Sequence, residues 1–183
     1  MTMSPGLRNF VLAGHLAFSV GWIGAVVVYL ALVVAARTSQ DTQILRAAWI
    51  SMELAGWFAI VPLALASLLT GLVMSVGTRW GLFRHYWVLI SLVLTIFATV
   101  VLLEHMQTVS FFAGVAAEME SADVGELRGA LPGEVFHAGG GLLVLLVVQV
   151  LNVYKPRGMT RYGWRKQQEE RGKGYSQRTE SPS

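Results

Sequence analysis

The side chains best suited to chemistry in this chain are its four histidines, because the chain contains no cysteine. Without thiolates there is no disulfide, iron–sulfur cluster or thiol nucleophile. Any metal or haem must then be held by histidine, carboxylate, methionine, tyrosine or backbone atoms. The sequence also has no nucleotide-binding loop, nucleophile elbow or His-Glu-x-x-His motif. The histidines therefore define the candidate sites.

Two of the histidines lie close to acidic residues at helical spacing. Glu134 and His137 are three residues apart and share a helix face, while Glu104 and His105 end another apolar segment. With Glu53 at a similar depth, these five residues are candidate ligands for a divalent metal. Glu-x-x-His is half of the pattern found in di-iron carboxylate bundles. The alternative is that these residues are solvated in the headgroup region beside an acidic loop.

The other two histidines, His15 and His85, are candidate cofactor ligands. His15 lies about five residues inside the first apolar segment, where a histidine needs a hydrogen-bond partner, a metal or a haem. His85 on the opposite side of a bundle would complete bis-histidine ligation of a b-type haem. The alternatives are an interhelical hydrogen bond for His15, and for His85 an aromatic belt with Arg84, Tyr86 and Trp87.

The composition places the elements that position these residues in a membrane. The chain is 54% hydrophobic and 14% charged, whereas a soluble domain has about 25% charged residues. Four apolar segments, each about the length needed to cross a bilayer, predict helices over residues 10–36, 47–76, 85–105 and 135–154. We therefore predict an all-α integral membrane four-helix bundle over residues 1–166, kinked at Pro62. A disordered tail is predicted over residues 167–183.

The region 106–133 between the third and fourth segments is acidic, and its fold is open at this stage. The third helix either ends near residue 105 or continues through residues 111–112, and a helical extension followed by a small cap is one description of the whole region. Small residues repeat every four positions at Ala17, Gly21 and Ala25, and again at residues 67, 71 and 75. Such faces allow close helix packing, within the bundle or against a second copy or a membrane partner.

The charge distribution predicts the orientation. Four crossings place both termini and the turn at residues 77–84 on one side, with 11 basic and three acidic residues, against three basic and eight acidic on the other. Because cytoplasmic flanks carry the excess of lysine and arginine, both termini are predicted to be cytoplasmic. The chain is predicted to be a multi-pass plasma-membrane protein whose partner is the lipid bilayer. Its basic tail flanks the membrane and does not indicate a nucleic-acid partner.

Several stretches carry a resemblance to known families. Residues 70–77 (TGLVMSVG), 80–88 (WGLFRHYWV) and 139–158 resemble a family of predicted integral membrane proteins of actinobacterial type, to which no activity is assigned. The spacing His15-x6-Trp22-Ile-Gly24 is similar to the first helix of copper-resistance D proteins and HemJ-type protoporphyrinogen oxidases. The first resemblance implies a four-helix topology, and the second implies metal handling or haem at His15.

Three functional hypotheses follow from the residues and these resemblances. The first is a non-enzymatic or accessory membrane protein whose bundle holds b-type haem or a divalent metal. The second is a haem-pathway or redox membrane enzyme. The third is a structural subunit that packs through its glycine, alanine and serine faces.

Overall fold

The computed structural model describes residues 3–77, 83–118, 124–156 and 158–169, and these residues form an all-α bundle. The helices are α1 (Pro5–Thr38), α2 (Thr42–Ala55), a π-helical turn (Gly56–Ile60), α3 (Val61–Gly77), α4 (Tyr86–Ala117) and α5 (Val124–Tyr154). Residues 161–169 add a short C-terminal helix. Four segments are long and apolar enough to cross a membrane: Pro5–Thr38, Thr42–Gly77, Tyr86–Ala117 and Val124–Tyr154.

The helices are longer than the apolar segments that predict them, because capping residues and not hydrophobicity set their ends. The Ser4 hydroxyl accepts a hydrogen bond from the Leu7 N–H and begins α1 five residues before the predicted start. The Asp41 carboxylate accepts from the Gln43 N–H at 2.8 Å and begins α2 at Thr42. The predicted polar connection from Arg37 to Arg46 is therefore mostly helical.

The acidic region 106–133 is also mostly helical where it is described. α4 continues to Ala117, and α5 already begins at Val124, so the fourth helix starts 11 residues before the predicted position. Pro132 lies inside α5 and does not introduce it. Residues 119–123, where a cap was one description, lie outside the described residues. Since the crossing segments have 31 to 36 residues, each is about 47–54 Å long and exceeds a hydrocarbon core of about 30 Å.

Near Pro62, where the sequence predicts a kink, the helix contains a π turn. The turn covers Gly56–Ile60 and ends two residues before Pro62, which has no N–H and whose ring crowds the carbonyl of the residue four positions earlier. The extra residue in the turn relieves that conflict without ending the helix. Gly56 in the turn faces Met106 of α4, where a Cβ atom would lie 2.4 Å from the Met106 sulfur.

The two ends of the bundle differ in packing. We call the end that holds residues 38–42, 117–118 and 124 the loop end. The end that holds residues 3–8, 77, 83–86, 154–156 and 158–169 is the terminal end. Side chains from α1, α2, α4 and α5 fill the loop end, and all of the following are at most 4% exposed: Val33, Ala36, Leu45, Ala48, Trp49, Met52, Val109, Ala113, Ala116, Leu127 and Leu131. The terminal half of the bundle is less filled, and it contains a cavity of about 670 Å³.

The C-terminal segment docks against the start of α4. The Tyr86 N–H donates to the Gly158 carbonyl at 3.4 Å, and the Thr160 N–H donates to the Arg84 carbonyl at 3.0 Å. A Cβ atom at Gly163 would lie 2.5 Å from the same Arg84 carbonyl oxygen, so only glycine fits there. Residues 167–169 are helical where a disordered tail is predicted, and the rest of the tail lies outside the described residues.

Candidate functional site

One cavity, which we call the main cavity, lies between α1, α3, α4 and α5 in the terminal half. Its volume is about 670 Å³, and apolar side chains form much of its wall. Several polar side chains from the spanning helices also line it: His15, Ser19, Ser67, Ser91, Gln149 and Asn152. The sequence suggests that Gln149 and Asn152 pair helices, whereas the structure places both at the cavity wall.

His15 is held by two acceptors on α3. Its Nδ1 lies 3.1 Å from the Ser67 carbonyl oxygen and 3.0 Å from the Thr70 hydroxyl oxygen. The Thr70 hydroxyl donates its own proton within α3, to the Ala66 carbonyl at 2.7 Å, so it can only accept from His15. Both neighbours therefore require a proton on Nδ1, which leaves the lone pair on Nε2. The predicted interhelical hydrogen bond of His15 is confirmed.

Members of both predicted small-residue faces lie where α1 packs against α3. A Cβ atom at Gly71 would lie 3.1 Å from His15 Cε1, so glycine makes room for the imidazole. The hydroxyls of Ser19 and Ser67 are 2.9 Å apart across the same interface. On α1, Gly21 faces Leu63, with a Cβ at Gly21 placed 3.3 Å from a Leu63 methyl carbon. Gly21, Ser67 and Gly71 therefore make contacts inside the bundle, whereas Ala17 of the same predicted face on α1 is exposed. Association with a second copy stays a prediction.

The structure does not bring His85 to His15. His85 precedes α4 in an extended conformation, pairs as an isolated bridge with Met159, and has its ring 6.4 Å from that of Trp87. It is not among the residues that line the main cavity. His85 therefore belongs to the contact between α4 and the C-terminal segment.

Three other polar residues of the main cavity were not predicted from the sequence, namely Ser91, Arg8 and Lys155. Ser91 is 6% exposed, and its hydroxyl has no hydrogen-bond partner within the described ranges, although the side chain lines the cavity. Two cationic residues, Arg8 and Lys155, line it at the terminal end. Serines three or four residues apart are common in membrane helices, so the pattern alone does not indicate which serine meets a cavity.

A second polar cluster joins three helices nearer the loop end. The Tyr29 hydroxyl donates to Glu134 Oε2 at 2.5 Å, and His105 Nε2 lies 2.9 Å from the same oxygen. Glu134 is only 2% exposed, so the interpretation of this carboxylate as solvated in the headgroup region is wrong. Tyr29 is 4% exposed and was not predicted, because a tyrosine in an apolar segment resembles an ordinary packing residue.

His137 and Glu104 lie at the open side of this cluster. The rings of His105 and His137 are stacked, with centroids 4.1 Å apart and planes 11° from parallel, and His137 Nδ1 is 2.9 Å from the Gly133 carbonyl oxygen. A second cavity of about 580 Å³ is lined by Glu104, His105, Glu134 and His137. The cluster therefore has one buried side and one open side.

The metal prediction gains no support from this geometry. Parallel stacked imidazoles direct their nitrogen lone pairs within two parallel planes and do not converge on one ion. No group of three His, Asp or Glu residues in the described ranges is arranged to hold a metal ion. Glu53 is half-buried on α2 and is not among the residues that line the second cavity.

Comparison with known proteins assigns no family. No protein-family model, curated protein or solved structure matches the chain.

Proposed function

We propose that this protein binds a b-type haem in the main cavity, with His15 as an axial ligand. The observation that supports this most is the hydrogen bonding of His15. Its Nδ1–H is used by the Ser67 carbonyl and the Thr70 hydroxyl, which leaves the Nε2 lone pair for a ligand. A histidine whose second nitrogen donates to a backbone carbonyl is held in the orientation that iron ligation requires.

The rest of the main cavity suits the same ligand. A haem has a large apolar ring and two anionic propionates, and the cavity combines an apolar wall with Arg8 and Lys155 at its terminal end. Cations at that position match carboxylates directed out of the bundle. Haem in such a site supplies one-electron chemistry, and this chain's residues would hold the ring and exclude lipid from it.

The visible absorption spectrum of the detergent-purified protein tests this proposal. Protein made in haem-replete cells is expected to show a Soret band that His15→Ala abolishes, because the axial ligand is lost. His85→Ala is the matched control and is expected to keep the band, since His85 lies outside the main cavity. A colourless wild-type protein, or an unchanged band in His15→Ala, would overturn the proposal.

We also propose that the protein lies in the plasma membrane with both termini in the cytoplasm. The four long apolar helices support a multi-pass membrane protein. Large apolar side chains on their outer faces, such as Phe58, Phe97 and Phe136, are at least 60% exposed and suit contact with lipid. The excess of basic residues at the terminal end supports the orientation.

A reporter fusion tests the orientation. Alkaline phosphatase, which is active only outside the cytoplasm, is expected to be inactive when fused after Ser183 and active when inserted between Ser39 and Gln40. Green fluorescent protein at the same two positions is the complementary control and is expected to show the reverse pattern. Phosphatase activity at Ser183 would contradict the proposed orientation.

A further inference from the structure

We propose that the short C-terminal helix, residues 161–169, lies on the membrane surface and binds the headgroups of anionic phospholipids. The proposal rests on the membrane location proposed above and adds to it a lipid partner of defined charge. The helix carries three cationic side chains, Arg161, Arg165 and Lys166, which are all exposed, against one acidic residue, Glu169. We call these three cations the basic cluster. Cationic residues that border spanning helices are attracted to the negative charge of anionic lipids.

The structure holds this helix against the terminal end of the bundle. Lys155 follows α5 with a φ of 44°, in the left-handed region, and the chain turns there toward the start of α4. The Thr160 hydroxyl caps the helix by accepting from the Gly163 N–H at 3.1 Å, and it donates to the Phe83 carbonyl. Together with the contacts that Thr160 and Gly163 make with Arg84, these bonds fix the basic cluster at the level where α4 begins.

The docked side of the helix lies opposite its two arginines. Gly163 is buried and Gln167 is half-buried, and because they are four residues apart they share the docked face. Arg161 and Arg165 are also four residues apart, and the helix repeat of about 100° per residue places them on the opposite face. Docking therefore leaves both arginines exposed, and guanidinium groups suit the phosphate oxygens of a headgroup.

Exposed aromatic residues accompany the basic cluster at the terminal end. In the described part of the chain, every tyrosine or tryptophan that is at least half exposed lies at this end, namely Tyr86, Tyr154, Tyr162 and Trp164. Such side chains concentrate at the headgroup level of membranes, because one part of the ring is apolar and another forms hydrogen bonds. Lys166 Nζ lies 5.7 Å from the centre of the Tyr162 ring. Aromatic anchors next to cations are typical of interfacial helices, which favours lipid over a nucleic acid as the partner.

The lipid preference of the full-length protein in phosphatidylcholine vesicles tests this inference. Spin-labelled phosphatidylglycerol and spin-labelled phosphatidylcholine are added separately in trace amounts, and electron paramagnetic resonance measures the fraction of each that the protein immobilises. One cation near an anionic headgroup gives about a fivefold preference and averaging over the lipid shell reduces it, so we expect an association ratio of about two or more. The ratio is expected to fall as salt is raised, because salt screens exposed charges.

Three variants locate the preference within the protein. Arg161→Gln, Arg165→Gln and Lys166→Gln together are expected to remove about half of the preference or more, since other cations of the terminal end remain. Arg161→Lys combined with Arg165→Lys conserves the charge and is the matched control, which is expected to keep the preference. Arg37→Gln, at an exposed arginine of the loop end, is also expected to keep it.

An absent preference in the wild-type protein, or an unchanged preference in the glutamine variant, would overturn the inference. An equal loss in Arg37→Gln would also overturn it, because the preference would then not belong to the C-terminal helix. Binding of a single-stranded RNA oligonucleotide by the reconstituted protein, without any headgroup preference, would assign the basic cluster to a nucleic acid instead. If neither spin-labelled lipid is immobilised, the proposed membrane location itself fails, whereas equal immobilisation of both lipids overturns only the lipid preference.

Discussion

His105→Leu is expected to destabilise the protein by about 3 kcal/mol, because it removes one partner of a buried pair and leaves the other. Glu134 is 2% exposed and, among the described residues, would keep a hydrogen bond from Tyr29 alone. Leucine has no donor to replace the one at His105 Nε2. The free energy of unfolding in mixed micelles at neutral pH measures the effect.

Two further variants make this prediction specific. His105→Leu combined with Glu134→Leu is expected to recover most of the lost stability, since two apolar side chains can replace a buried pair at little or no cost. His137→Leu is the control, and it is expected to cost less than about 1 kcal/mol because exposed His137 contributes only a stacking contact to the cluster. A double variant no more stable than His105→Leu would show that the loss comes from packing and not from the unpaired carboxylate.

Trp49→Ala is expected to lower the free energy of unfolding by about 4 kcal/mol, because Trp49 is fully buried in the loop-end core. Its ring packs on Phe112 with centroids 5.1 Å apart. Trp49→Phe is expected to cost only about 1–2 kcal/mol. The phenyl ring keeps much of the buried area, and the indole N–H that it removes has no hydrogen-bond partner in the described structure.

The same truncation at an exposed tryptophan provides the control for Trp49. Trp164 is 57% exposed in the C-terminal helix, and Trp164→Ala is expected to change the free energy of unfolding by less than about 0.5 kcal/mol. Comparable losses for Trp49→Ala and Trp164→Ala would contradict the conclusion that the packed core lies at the loop end.

The sequence predicted the helices well in number and kind, and less well in their ends. The length of an apolar segment identifies the part of a helix suited to lipid. It does not reveal helical turns that extend beyond the apolar segment. Ser4 and Asp41 are N-cap residues whose types are typical of helix starts, so α1 and α2 were in principle predictable. The position of Pro132 inside α5 was not predictable, because proline usually marks the first turn of a helix.

For the candidate sites, the sequence predicted which residues matter, but not their partners or their burial. His15 was predicted as the deepest polar residue of its segment, and its choice of Ser67 and Thr70 as partners depends on how α1 lies on α3. Glu134 and His137 share a helix face as their spacing requires, yet one is buried and the other exposed. Spacing within one helix defines which residues are neighbours, but the adjacent helices decide which of them lose contact with water.

By itself, the sequence determined that the chain forms four helical segments long and apolar enough to cross a membrane, because hydrophobicity and segment length act locally along the chain. The absence of cysteine made the histidines the candidate site residues. Only the tertiary structure decided that Tyr29, Glu134 and His105 meet at one oxygen, although Tyr29 and Glu134 are 105 residues apart in the chain. The main cavity likewise depends on how four helices pack together, and no single helix encodes that packing.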